Sequence, residues 1–296
     1  DIWLGHFEAR RTDYEPSLPV KVWRIVGDTQ YAHMVWRLVT FNFGRSTLKT
    51  RDPVSEKIWK GFVVSAPLML MAELFIYGVA IPLGILCAVN RGRAADRLIS
   101  LGLFLLYSIP AFVAGMLFLL FFCYGDYLKL FPVEQLHSEA ADSYSSLGYV
   151  LDYLWHAFLP VVCLALFSLA GLAMYARSSM LEVLHQDYIR TAKAKGVSRS
   201  TIILKHALRN GLIPIITLFS SFLPAMLGGS VLVEYLFNIP GMGRLSFASI
   251  EQKDFPTLMA LIYIEAIVVL ASILLSDIGY ILVDPRISFS SQKASE

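Results

Sequence analysis

A few carboxylates and one basic loop are the residues whose chemistry this sequence has to explain. Glu73 and Glu265 lie inside long apolar runs, Asp277 lies near the end of one, and Glu234 stands just past another. A carboxylate in such surroundings is costly and is by default a functional candidate. Glu73, in the middle of its run, suits a transport pathway or a contact with a partner helix. Glu265 suits an interface. Glu234, a few residues before Pro240 and Gly241, is expected where water can reach it, as part of an outer gate with that loop. Asp277 and Asp284 are expected to anchor the last helix. Metal and hydrolytic chemistry find little support. His6, His33, His137, His156, His185 and His206 have no ligand spacing, and His156 is read as a helix-end residue. No H-E-x-x-H or G-x-S-x-G is present. Cys87, Cys123 and Cys163 sit unpaired in apolar runs as small hydrophobes, so neither a disulfide framework nor a zinc site is expected. No metal and no cofactor are called for.

The elements that position these residues follow from composition. The chain has 296 residues, 56% of them hydrophobic and 16% charged, which points into a membrane. A net charge of +2 gives no basic excess for nucleic acid. A bilayer core about 30 Å thick takes roughly 20 apolar residues in a helix. Five runs qualify: Phe62–Val89, Leu98–Tyr124, Ala157–Ala176, Leu212–Val233 and Leu258–Val283. Lipid offers backbone groups no partner and the runs lack strand alternation, so they read as helices. The expected fold is an all-α polytopic bundle of about five transmembrane helices. Gly78, Gly84, Gly115, Gly171, Gly228 and Gly229 permit close helix packing, consistent with a dimeric pore.

Lys and Arg in short loops stay on the cytoplasmic side. Arg91, Arg93 and Arg97 place the first loop there, and the basic segment 177–211 follows. The intervening loop, with Glu134, Glu139, Asp142 and Asp152, faces outward. Residues 1–61 are then an extracytoplasmic segment, 62–283 the transmembrane domain, and 284–296 a cytoplasmic tail. Trp3, Phe7, Trp23, Tyr31, Trp36, Phe41 and Phe43 argue that the outer segment folds as a small cap, with a short helix from Tyr31 to Thr40 ended by Asn42-Phe43-Gly44. Export of that segment needs a signal, and the chain starts at Asp1, so a preceding span is expected to have been removed or left out.

The most informative stretch is the basic loop. Asp187 to Lys195 has helix-forming residues with an acidic start and a basic finish, which suits the helix dipole at both ends. Gly196 can stop that helix and Ser198 can cap the next. Two short helices joined by a tight turn result, with Tyr188 and Ala192 on one face and Ile202, Ile203 and His206 as a stripe on the second. Such an elbow suits transmission of force from a partner. A basic face resting on anionic headgroups is the other reading of the composition.

The run Asp187-Tyr-Ile-Arg-Thr-Ala-Lys-Ala-Lys-Gly196, followed by His206-Ala-Leu-Arg-Asn210 and Ile213-Pro214, resembles the signature loop of permease subunits of bacterial ATP-binding-cassette importers, in particular the dipeptide and oligopeptide branch. Arg190-Thr191-Ala192 stands where the superfamily often has Glu-Ala-Ala. Phe43-Gly44-Arg45-Ser46, Ile81-Pro82-Leu83-Gly84, Ser108-Ile109-Pro110, Leu159-Pro160, Pro240-Gly241-Met242-Gly243 and Asp284-Pro285-Arg286 extend the likeness in order over nearly the whole chain. The resemblance implies a type I importer permease fold in the bacterial inner membrane. It also implies one half of a peptide channel that pairs with a second, usually different, permease subunit. Two cytoplasmic ATP-binding subunits would supply energy and an extracytoplasmic substrate-binding protein would deliver peptide. Asp187, Tyr188, Arg190, Thr191, Ala192, Lys195, Gly196, His206, Arg209 and Asn210 would then couple to the ATPases. The chain has no G-x-x-x-x-G-K-S/T phosphate loop, so it is expected not to hydrolyse ATP itself. Two departures stand out: the family's usual first span is missing, and Asn42 replaces a frequent Asp, which bears on the length of peptide carried. The rival reading is an ion-coupled secondary transporter using Glu73 and Glu265.

Overall fold

The computed structural model describes residues 18–27, 29–124, 127–133, 135–212, 215 and 222–283. Among them the chain is helical, and its one β-bridge, Arg45 with Pro53, closes a short hairpin. The order is α1 (Leu18–Val26), α2 (Gln30–Val39), α3 (Val54–Val89), α4 (Ala94–Ser108), α5 (Ala111–Phe118), α6 (Ser146–Leu184), α7 (Asp187–Ala194), α8 (Arg199–Thr201), α9 (Leu208–Gly211), α10 (Phe222–Gly228), α11 (Val231–Leu236), α12 (Met242–Glu251) and α13 (Phe255–Val283). Among the described residues, three helices are long and apolar enough to cross a membrane, or four if the bent pair α4 and α5 is one span. The run Leu212–Val233 lies partly outside the described residues; its described part is Leu212, Ile215 and residues 222–233, which hold the short helix α10 and the start of α11.

α3 and α6 form the spine. α3 has 36 residues and α6 has 39, so both are longer than the roughly 20 residues that hydrocarbon requires. The buried positions of α3 recur at three- and four-residue spacing, from Ile58 through Ser65, Leu68, Ala72, Ile76 and Ala80 to Gly84. Most are small, which lets the α6 backbone approach. A Cβ on Gly84 would lie 2.6 Å from the carbonyl oxygen of Ala173 and 2.6 Å from the Ala176 Cβ. Ala80, Ala165, Ala173 and Ala176 fill the rest of this seam. In lipid, where apolar surface gives helices no reason to associate, such close van der Waals packing is what holds two of them together.

The uncharged run Leu98–Tyr124 does not make one straight helix. It bends by 92° between α4 and α5. Pro110 has no N–H to donate and keeps the preceding residue out of helical conformation, and Ile109 is accordingly extended at φ −89, ψ 117. Ser108 donates to the Phe104 carbonyl at 2.8 Å near the break. Asp96, near the start of α4, accepts two parallel hydrogen bonds from Arg177 of α6, Nε at 2.8 Å and Nη2 at 3.0 Å, and one from Gly92 N–H at 2.9 Å. This bidentate pair fixes α4 against α6.

The expected short helix before the first span is α2, capped by the Thr29 side chain and followed by Phe41 and Gly44 at positive φ. The Phe41 and Phe43 rings meet Tyr263 of α13 at 6.1 and 6.2 Å. Of the sequence features placed before α1, Trp3, Phe7 and His6 lie outside the described residues, as do Ile213-Pro214, Asp284-Pro285-Arg286 and the tail 284–296.

Candidate functional site

The basic loop folds as two arms around Gly196. α7 ends in paired reverse hydrogen bonds: Val197 N–H donates to the Ala192 carbonyl at 3.2 Å, and Gly196 N–H to the Lys193 carbonyl at 3.0 Å. This is the Schellman arrangement, which requires a left-handed residue, and Gly196 supplies it at φ +75. The Ser198 side chain accepts from Thr201 N–H and caps α8. The second arm continues as π-helix over Ile202–Ala207 before α9. Asn210 Nδ2 donates to the Tyr188 hydroxyl at 2.7 Å, so the two arms are also joined side chain to side chain.

What fastens this elbow to the spans is Ile189. It is fully buried in a cluster with Ala88 at the end of α3, Met180 of α6, and Ile202 and Ala207 of the second arm. Ala192, Val197 and Ile203 pack around it. Sequence reasoning placed Tyr188 and Ala192 on one face of α7 and did not single out Ile189. The structure instead turns Tyr188 outward, 42% exposed, and sends its neighbour inward. At 100° per residue, Ile189 shares the inner face with Ala192, three positions on. The alternation of polar residues around Ile189 is the signal that could have found it. Of the residues expected to couple, Asp187, Tyr188, Arg190, Thr191, Lys195, Gly196, Arg209 and Asn210 are exposed, while Ala192 and His206 are half-buried.

The expected outer gate has a different geometry. Glu234 is not within reach of water: it is fully buried. Its Oε1 accepts from the Ser65 hydroxyl at 2.7 Å and from Ser230 N–H at 3.3 Å, and its Oε2 accepts from Arg244 N–H at 2.8 Å. Ser65 in turn accepts from Met242 N–H at 2.7 Å. The carboxylate therefore caps the first turn of α12, where N–H groups lack helical partners, and ties it to α3. Glycines make room for it. A Cβ on Gly241 would fall on the Ser65 hydroxyl and the Glu234 carboxyl, and one on Gly243 would lie 2.6 Å from Val231 N. Gly241 is buried in this knot while Pro240 beside it is exposed. Glu73 is not part of it; it lies half-buried in the middle of α3. Glu265 and Asp277 are exposed on α13, with Glu265 Oε1 3.9 Å from where a Gly228 Cβ would stand. His156 lies well inside α6 rather than at a helix end and meets its own turn, Nδ1 standing 2.8 Å from the Asp152 carbonyl oxygen.

A second carboxylate centre was not singled out from sequence. Asp254, fully buried just before α13, accepts from Lys57 Nζ at 2.8 Å, Ser46 Oγ at 2.6 Å, Thr257 Oγ1 at 2.6 Å and Thr47 N–H at 3.0 Å. Burial alone would raise this carboxyl, but the Lys57 ammonium and the hydroxyl and amide donors outweigh it and hold Asp254 well below the usual carboxylate range. Ser46 closes Phe43-Gly44-Arg45-Ser46, so this is where that motif acts: it docks the hairpin on the start of α13. No group of His, Cys, Asp and Glu suited to a metal occurs among the described residues.

Residues 80–289 match the family described as binding-protein-dependent transport system inner membrane component. The oligopeptide transport system permease protein AppB of Bacillus subtilis is 38% identical over 263 residues, 88% of this chain and 80% of its own length. The inner membrane ABC transporter permease protein YejB of Escherichia coli is 37% identical over 264 residues, 89% of this chain and 72% of its own. The dipeptide transport system permease protein DppB of Escherichia coli is 34% identical over 275 residues, 87% of this chain and 80% of its own. Among solved structures, the inward-facing MetNI methionine ABC transporter superposes with a TM-score of 0.60 at 15% identity, covering 78% of this chain and 98% of that one, a likeness of fold.

Proposed function

Because the chain belongs to the family of binding-protein-dependent transport system inner membrane components, it is an inner-membrane permease subunit of an ABC importer, and we propose that it forms one half of a peptide pathway driven by separate ATPases. Peptide cargo is supported by the names of the oligopeptide and dipeptide relatives. The loop charges support the sidedness: 177–211 and 284–296 cytoplasmic, 1–61 extracytoplasmic, 62–283 in and at the membrane. A second permease subunit completes the pathway, one of two ATP-binding subunits grips the elbow, and a substrate-binding protein docks on the opposite side.

The observation that carries the mechanism is the anchoring of Ile189. An arm that hung free of the spans could be moved without moving them. Here α7 is seated through Ile189 on Ala88 and Met180, at the ends of the two spine helices. The outward residues of α7, among them Tyr188, Thr191 and Lys195, remain exposed to a partner. Closure of an ATPase pair on ATP pushes the elbow as a unit, and the spans tilt between inward-facing and outward-facing arrangements, a rigid-body transition of packed elements. The energy comes from differential binding of the ATPases to the two arrangements.

Reconstitution into vesicles tests this reading. Peptide uptake that requires the second permease, the ATPases, the binding protein and ATP is the expected result. Uptake by this chain alone under a proton gradient would overturn it in favour of an ion-coupled carrier using Glu73 and Glu265.

A further inference from the structure

Between the elbow and the span ends lies a cleft of about 590 Å³. Its polar wall is cationic: Arg91 follows α3, Arg190 and Lys193 lie on α7, and Arg199 opens α8. None of the residues lining it is acidic. Glu182 and Asp187 line the neighbouring hollow, and Asp187 holds Arg190 at 3.2 Å, so Arg91, Lys193 and Arg199 carry most of the positive field. Its other wall is apolar, with Val89, Leu181, Leu184 and Ile203. Arg199 Nη2 donates to the Val89 carbonyl at 3.3 Å, so the second arm closes over the end of α3.

We propose that this cleft binds the phosphate headgroup of an anionic phospholipid from the leaflet on the elbow's side, with the first carbons of its chains on the apolar wall. Charge complementarity requires an anion, and the adjoining aliphatic wall requires that the anion carry hydrocarbon. The depth matches as well. The apolar run of α3 ends at Val89 and Arg91 follows, so the cleft straddles the level at which hydrocarbon gives way to headgroups. An acidic segment of a partner protein would meet the exposed outer side of α7 before reaching this inner hollow. A lipid seated here touches α3, α6 and both arms of the elbow, and so stiffens the link between elbow and spans. Its effect on ATP hydrolysis rests on the coupling reading above; its binding does not.

The assembled transporter, in nanodiscs of phosphatidylcholine with and without phosphatidylglycerol, provides the test. Lipid retained through purification is read by native mass spectrometry without nucleotide, and ATPase activity is read separately. Arg91→Gln and Lys193→Gln are expected to lower retained phosphatidylglycerol roughly fivefold for each charge removed, the worth of one cation near an anionic leaflet. Stimulation of ATP hydrolysis by phosphatidylglycerol should fall in parallel, and millimolar inorganic phosphate should not displace the lipid. Unchanged retention overturns the proposal, and so does displacement by free phosphate. A photo-crosslinking residue at Val197, in an otherwise unaltered chain, covers the case in which the charge variants fail to assemble. Crosslinks to lipid support the site; crosslinks to an ATPase subunit in place of lipid overturn it. Retention lost in the variants with coupling intact, or the reverse, separates failure of this site from failure of the coupling reading.

Discussion

Gly196 and Glu234 are both residues whose surroundings dictate their type, but for different reasons. At Gly196 the constraint is backbone: φ is +75 and nothing stands within 4 Å of a built Cβ, so a side chain would have space yet the wrong torsion. The left-handed conformation costs an ordinary residue roughly 1–2 kcal/mol, and a β-branched one more. Gly196→Val is therefore expected to leave membrane assembly intact while uncoupling ATP hydrolysis from binding-protein-stimulated transport, which a stimulated ATPase assay would detect. At Glu234 the constraint is a set of buried donors. Glu234→Ala orphans the Ser65 hydroxyl and the Arg244 N–H, at about 1–3 kcal/mol for each unsatisfied group. A lowered midpoint of thermal unfolding in detergent is the expected outcome. A gate residue open to water would instead alter transport with stability unchanged. Gly196 and Ser198 were legible in the sequence because caps and stops are local signals, set within a few residues of one another. Glu234 was visible as a candidate but misplaced, since Ser65 is 169 residues away and no spacing rule connects the two.

Among elements, α3 and α6 show what apolar runs do and do not disclose. Hydropathy located both helices because length and apolarity alone decide membrane partition. It could not disclose the seam, since a stripe of small residues matters only when another backbone lies against it. Gly84→Leu would put a side chain where the Ala173 carbonyl already stands. It is expected to separate the two helices and to cut the yield of folded protein several-fold, as read by fluorescence-detected size exclusion. Gly78, on the same helix, has nothing within 4 Å of a built Cβ, so Gly78→Ala is the matched control and should be tolerated. The bend between α4 and α5 was likewise hidden in an uncharged run. Pro110 was present in the sequence, but a proline in a span is compatible with a kinked helix or a reversal, and only packing decides between them.

For the molecule as a whole, one contact that acid should open is the one joining the hairpin near Ser46 to α13. The Asp254 carboxyl is depressed in the folded chain, so its contribution to stability is complete above the ordinary carboxylate value of about 3.9 and is lost as the pH falls through its lower folded value. Limited proteolysis around residues 44–54 should therefore stay slow at neutral pH and accelerate only in strong acid. Asp254→Asn should expose the same sites at pH 7, because it leaves Lys57 without its counter-ion in a site where breaking a buried pair costs about 3–5 kcal/mol. Cleavage of equal speed in the variant and the parent at pH 7 would count against this contact. The sequence disclosed the motif ending in Ser46 but not its purpose, because the partner lies 208 residues away across the fold.

The unbroken length of α6 has a mechanical corollary. Its 39 residues span about 58 Å at 1.5 Å per residue, so pivoting the helix by one degree at its elbow end sweeps the distant tip through about 1 Å. Arg177 clamps this beam to Asp96 seven residues before its last, Leu184. On the coupling proposed above, a fulcrum set that close to the elbow would convert a small stroke there into a wide excursion on the far side, where cargo would enter.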